Sequence, residues 1–328
     1  MQFELGKTYS IEEDTILGKR GFHFCDKIEN LNMCYNIAKS RIFEVEAEGD
    51  IICSDNKYVA QTIKLIKELT KQEISEYFKK NYERLCGSED VKIRLAVAEQ
   101  GYGLDILVHD KDWQIRKAVA ERGYGLDKLL HDHKGLVRRA VADKGYGLDK
   151  LLHDHEGLVR RAVAEQGYGL DILIHDKDWQ IRKAVAEQGY GLNILIKDKN
   201  WLVRMAVVQQ GYGLNVLIHD KNWNVRYMVV KQGYGLDTLI KDKNWLVRMV
   251  VAQQDYGLNV LIHDKSWRVR RAVVEQGYGL NMLIKDKDWN VRYAVAEQGY
   301  GLDILIHDEN PAVRNMARKM LNKKMGCQ

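Results

Sequence analysis

The triplet Tyr-Gly-Leu recurs at Tyr102, Tyr124, Tyr146, Tyr168, Tyr190, Tyr212, Tyr234, Tyr256, Tyr278 and Tyr300, every 22 residues without insertion. A partial unit from Asp90 to Gln100 precedes the series, and another from Asn310 closes it. Self-similarity at a fixed short period marks a stacked-repeat architecture. A 22-residue unit cannot bury its own apolar face, so neighbours must cover it. The expected fold is therefore mainly α: a right-handed α-solenoid of about eleven helix-pair repeats over residues 88–328, with a small α+β domain over 1–87. At the usual spacing of packed helices, eleven pairs would extend roughly 90–110 Å.

Each unit reads as two helices. The first runs from the Leu of the triplet through the [His/Lys]-Asp pair, six or seven residues, partly 3₁₀. The second starts at Trp and ends near Gln-Gly. Asp112, Asn200 or Ser266 precedes the Trp as an N-cap. The single proline, Pro311, occupies the Trp register behind Asn310, a helix-start signature that fixes the phase. The following Gly ends the helix in the left-handed conformation, and Asp255 replaces it once. At 100° per residue, Ile115, Ala118, Val119 and Arg122 centre on one direction, and Gln114, Lys117 and Glu121 share another.

Asp110, then Arg116-Lys117-Ala118-Val119-Ala120, resembles the HEAT-like α-solenoid repeats, and Asn310-Pro311-Ala312-Val313-Arg314 is similar to their commonest helix start. The short period looks closer to the leucine-rich repeat variant class. The resemblance covers residues 90–318 and implies binding to other macromolecules without naming one.

Two registers never change. Arg recurs eleven times from Arg94 to Arg314, and Asp ten times from Asp110 to Asp308. Such Arg could form a stripe for phosphates, but a matched Asp for nearly every Arg predicts a ladder of ion pairs between adjacent units. The Trp register (Trp113, Trp179, Trp201, Trp223, Trp245, Trp267, Trp289) is filled by Gly135, Gly157 and Pro311 elsewhere, so a half-exposed packing role is expected, with base stacking as the alternative. The sector of Gln114 and Lys117 varies. Early units carry Lys117, Arg139, Arg161 and Lys183; later ones carry Leu202, Met205, Tyr227, Leu246, Met249, Arg268, Arg271 and Tyr293. Met, aromatic residues and Arg on a solvent-facing helix suit a protein partner. His131, His133, His153 and His155 stand in near-identical turns, where duplication explains them better than a metal does.

The first 87 residues differ in kind. All five Phe lie before residue 79 and all seven Trp after 112. Residues 21–25 and 41–47 read as strands, 29–38 as a helix, and 62–69 as a further strand. Thr70-Lys71-Gln72-Glu73 is a capping box opening a helix to about Cys86. Gly-Phe-His-Phe-Cys and residues 41–50 resemble a small uncharacterised domain of phage and prophage proteins. They are also faintly similar to a segment of ADP-ribosyltransferases, which would imply NAD chemistry near His23 and Glu44 or Glu46.

Composition narrows the classes. No apolar stretch is long enough to span a membrane, and no signal peptide is read. Cys25, Cys34, Cys53, Cys86 and Cys327 include no Cys-x-x-Cys pair, which suits reduced thiols in a cytoplasm. Residues 1–88 carry 13 Lys/Arg and 15 Asp/Glu; residues 89–328 carry 38 and 31. The expected function is that of a non-enzymatic scaffold, without cofactor or metal, that binds a protein along the variable face. A nucleic acid bound along Lys117, Arg139, Arg161, Lys183 and Arg271 is the first alternative. A transferase-like N-terminal domain is the second. Whether two copies associate is left open by the sequence.

Overall fold

The computed structural model describes residues 4–10, 22–25, 41–54, 57–324 and 326. Its contacts divide the chain into two compact units, Met1–Tyr168 and Gly169–Gln328.

The first unit opens with a four-stranded antiparallel sheet. Strand β4 (Lys57–Glu68) pairs with β1 (Thr8–Ser10), β2 (Phe22–Phe24) and β3 (Phe43–Ser54). Ala60, Ile63 and Leu65 of β4 form its buried centre, and Phe22, Phe24, Phe43 and Val45 pack on them. Both long strands exceed the expected 41–47 and 62–69. β3 continues through a bulge: Gly49 takes φ 85°, and the register slips between Glu48 and Ile51. An extra residue with positive φ is how a strand passes a glycine without stopping, so Gly49 is no strand end. The short β1 was not anticipated. The helix expected over 29–38 lies outside the described residues.

The helix Lys71–Cys86 starts where expected. Thr70 accepts from the Glu73 N–H, and Glu73 accepts from the Thr70 N–H at 2.8 Å. The Lys67 ammonium, then the Thr70 amide and hydroxyl, hold the Glu73 carboxyl down at about 2. Ile74, Phe78 and Leu85 form the buried face. Burial pushes the Cys86 thiol up to about 11, which keeps it protonated.

From Val91 on, both units are built of repeats. In the first, short helices Leu104–Leu107, Leu126–Leu129 and Leu148–Leu151 alternate with long ones, Trp113–Glu121, Gly135–Asp143 and Gly157–Glu165. In the second, the same alternation runs from Leu170–Leu173 to Leu302–Leu305 and ends in a 14-residue helix, Pro311–Lys324. The short helix is four residues long rather than six or seven. After it, His109 N–H bonds back to Ile106 and Asp110 N–H to Leu107, three residues each, so the last turn tightens out of α geometry.

Ile115, Ala118, Val119 and Ala120 are buried, as are Val203, Ala206, Val207 and Val208 in the second unit. Ala and Val on several sides let long helices pack closely with neighbours. Arg122 departs from the expected inward direction: it caps the helix at φ −82°, past the last packed turn, and is exposed. Asp112 and Asn200 cap as expected, but Ser266 makes no side-chain cap bond. No helix among the described residues is long and apolar enough to cross a membrane.

Candidate interaction faces

The invariant Asp and Arg build the frame that presents everything else. Arg204 spans two repeats: Nε and Nη2 donate to the Asp220 carboxylate at 2.5 and 2.8 Å, while Nη1 donates to the backbone carbonyls of Asp198 at 2.6 Å and Lys199 at 3.3 Å. Asp220 Oδ1 also accepts the Asn222 N–H at 2.8 Å, and Asn222 then caps the following helix. The same lattice recurs as Arg94–Asp110, Arg116–Asp132 and Arg138–Asp154 in the first unit, and in six pairs from Arg182–Asp198 to Arg292–Asp308 in the second. Pairs such as Arg204–Asp220 keep only 6% and 5% of their side-chain surface in water. Arginines so enclosed and bidentate are structural; they offer nothing to an external phosphate. No buried side-chain nitrogen or oxygen lacks a hydrogen bond among the described residues. Burial raises the Asp198 pKa, but the Arg182 hydrogen bond, the Asn200 N–H and the Arg182 charge outweigh it and hold the carboxyl below its ordinary value.

On this frame the long helices expose their second, fifth and ninth positions. The basic residues at the fifth position are engaged. Lys117 pairs with Glu121 at 2.5 Å, Arg139 with Asp143 at 3.7 Å, Arg161 with Glu165 at 2.7 Å, Lys183 with Glu187 at 2.5 Å and Arg271 with Glu275 at 3.0 Å. A cation neutralised four residues on is a weak phosphate contact. Three consecutive repeats break the pattern: Met205, Tyr227 and Met249 take the fifth position, with Gln209, Lys231 and Gln253 at the ninth. Leu202, Met205, Tyr227, Leu246, Met249 and Tyr293 are all half-buried, and Arg268 is exposed. Tyr227 and Tyr293 set ring edges against Trp223 and Trp289, with centroids 6.4 and 6.5 Å apart. Lys231 lies 5.4 Å over the Tyr227 ring.

The Trp side chains are half-exposed, and Trp289 fully counts as exposed at 42%. Arg268 is flanked by two of them. Its guanidinium carbon lies 4.8 Å from the Trp245 ring centroid and 4.6 Å from that of Trp267. At its register, Asn224 and Asn290 instead hydrogen-bond back to their own caps, Asn222 and Asp288, at 3.1 and 2.9 Å.

Two repeating features add to these faces, the first of them not singled out in the sequence. The middle of the short helices is exposed and aliphatic at Ile172, Ile194, Val216, Val260, Met282 and Ile304 in the second unit. The residue two before each Trp of that unit is an exposed Lys. An open recess of about 370 Å³ is lined by Lys285, Asp286, Lys287, Arg292, Asp308 and Glu309. Its charged walls lack the apolar lining typical of small-molecule pockets.

The paired His turns do not converge on a shared centre. His133 and His155 are 71% and 77% exposed, and the Asp between each His pair is held by Arg116 or Arg138. In the sheet, His23 lies opposite Val59, Glu46 opposite Lys64 and Glu44 opposite Lys67. His23 is thus about 17 Å along β4 from Glu46 and farther from Glu44, at 3.4 Å per residue. They do not come together as one site.

Residues 1–77 match the model of a family described as a domain of unknown function (DUF7666). A search of curated proteins finds no match.

Proposed function

We propose that this chain is a non-enzymatic scaffold that binds a protein partner along the long helices of Gly169–Gln328, through Leu202, Met205, Tyr227, Leu246, Met249, Arg268, Arg271 and Tyr293. One observation carries the reading. Where the repeats of Lys117, Arg139, Arg161, Lys183 and Arg271 present an i,i+4 ion pair to solvent, the repeats of Met205, Tyr227 and Met249 present half-exposed thioether and aromatic surface. Solvent offers no reason to replace a paired Lys and Glu by Met, Tyr and Met in three consecutive repeats, whereas an adaptable protein interface does. In this reading residues 1–87 are a cap or adaptor and residues 88–328 a HEAT-like array. The likeness of the N-terminal segment to phage and prophage proteins points the partner towards a host or defence factor in a cytoplasm.

The double variant Met205→Glu, Met249→Glu tests it. Both side chains are partly in water, so far-UV circular dichroism should match the parent. Partner capture in a quantitative pull-down should fall at least tenfold. Unchanged capture sinks the assignment.

A further inference from the structure

The second unit carries 24 Lys and Arg against 17 Asp and Glu, a net charge of +7, while the first carries 27 against 29. Seven of those 17 carboxylates, from Asp176 to Asp308, and seven of the 24 cations, from Arg182 to Arg314, belong to the ladder, so the excess lies outside it. Lys177, Lys199, Lys221, Lys243, Lys265 and Lys287 are exposed, and none makes a salt bridge among the described residues. The backbone that holds them is fixed. Arg182, Arg204 and Arg248 donate to the carbonyls of Lys177, Lys199 and Lys243 at 3.2, 3.3 and 3.2 Å. Two residues beyond each Lys stands a Trp that keeps part of its ring in water. The result is a row of six Lys-x-Trp loop ends, one per repeat. It borders the fifth-position face described above, since Tyr227 and Tyr293 touch Trp223 and Trp289.

We propose that this row binds a single-stranded nucleic acid, about one nucleotide per repeat, with phosphates on the lysines and bases on the indoles. The charge excludes a basic peptide and calls for a polyanion. The aromatic half of the row selects among polyanions. Arg268 already shows a flat group held between indoles of consecutive repeats, and Asn224 and Asn290, folded back on their caps, supply no such group at their own registers. A polymer with a charge and a flat ring in every unit satisfies both halves, and an acidic protein surface satisfies only the first. Base–aromatic stacking tolerates any sequence, and one base per helical repeat is a workable pitch.

The test uses the full chain, fluorescein-labelled 12-mers of thymidylate and uridylate for anisotropy, and unlabelled 12-mers for intrinsic Trp fluorescence. Binding of either sugar at 50 mM salt is expected, with quenching of Trp fluorescence. The slope of log K against log salt should be about −4, from about −0.7 for each of six phosphate contacts. Lys221→Gln, Lys243→Gln leaves every ladder pair intact and should flatten that slope by about 1.4. Trp223→Ala should weaken binding roughly 5- to 150-fold. If that variant unfolds, Trp quenching in the parent remains the stacking readout. Three results overturn the proposal: no binding at 50 mM salt, binding without quenching, or duplex DNA or polyglutamate bound as tightly as the single strands. The last would mean a row that attracts any anion, an acidic protein included.

Discussion

Asp255 stands where nine other repeats carry glycine, with φ 55°, the one positive-φ residue other than glycine among those described. The two glycines around each Tyr therefore serve different needs. Gly211 sits at φ 71°, and a Cβ built there meets nothing within 4 Å; only the backbone angle asks for glycine. Gly213 sits at φ 64°, and a Cβ there would collide with Cδ1 of Ile196 from the preceding repeat. Gly211→Ala should cost about 1–2 kcal/mol, the left-handed penalty alone. Gly213→Ala adds overpacking of about 1–3 kcal/mol. Urea unfolding followed by circular dichroism checks the order, and equal losses would contradict it. The ladder carboxylates make a second residue-scale prediction. Asp132, Asp154, Asp198 and Asp308 have lowered pKa values, because the Arg hydrogen bonds and charges outweigh the burial that raises them. Their stabilisation is complete above the unfolded carboxyl value of about 3.9 and is lost as pH falls through the lower folded value. Thermal melts should hold steady from pH 7 to 5 and drop below about pH 4. A drop already between pH 7 and 5 would assign the sensitivity elsewhere.

At the scale of elements, the long helix was readable almost to the residue because three signals coincide. They are the cap, the Trp or Pro at the first position, and the glycine after Gln. The cap can be weighed directly. Asn200 Oδ1 accepts the Leu202 N–H at 2.9 Å, whereas Ser266 makes no such bond. Asn200→Ala should cost about 1 kcal/mol and Ser266→Ala much less, measured as denaturation midpoints. The short helix was over-read because apolar spacing continues past its last α turn, where i−3 bonds take over. The strands were under-read for the opposite reason. The strand expected over 41–47 runs on through a bulge at Gly49, and β1 contributes only three residues, too few for alternation to show. The caps, the sheet and the repeats thus differ in legibility by how many local signals each one needs.

At the scale of the whole chain, repetition exposes architecture and hides function. The Arg–Asp ladder was legible because each unit restates it. The Met205–Met249 stretch stands out in the sequence because it fails to repeat. The Trp register was given a packing role, with base stacking as the alternative, and its flanking lysines differ from the ladder in exposure: Arg204 keeps 5% of its surface in water and Lys199 is exposed. The N-terminal residues gave the least, since His23, Glu44 and Glu46 read as a constellation in sequence and stand apart along β4. The central claim is that a protein seats on the long helices of the second unit. A photo-crosslinking amino acid placed singly at Leu202, Tyr227 or Met249, with the exposed short-helix position Asp237 as control, tests it most directly. The account predicts that one and the same protein is captured from all three long-helix positions and not from Asp237; capture only from Asp237, or three unrelated proteins from the three positions, would contradict it.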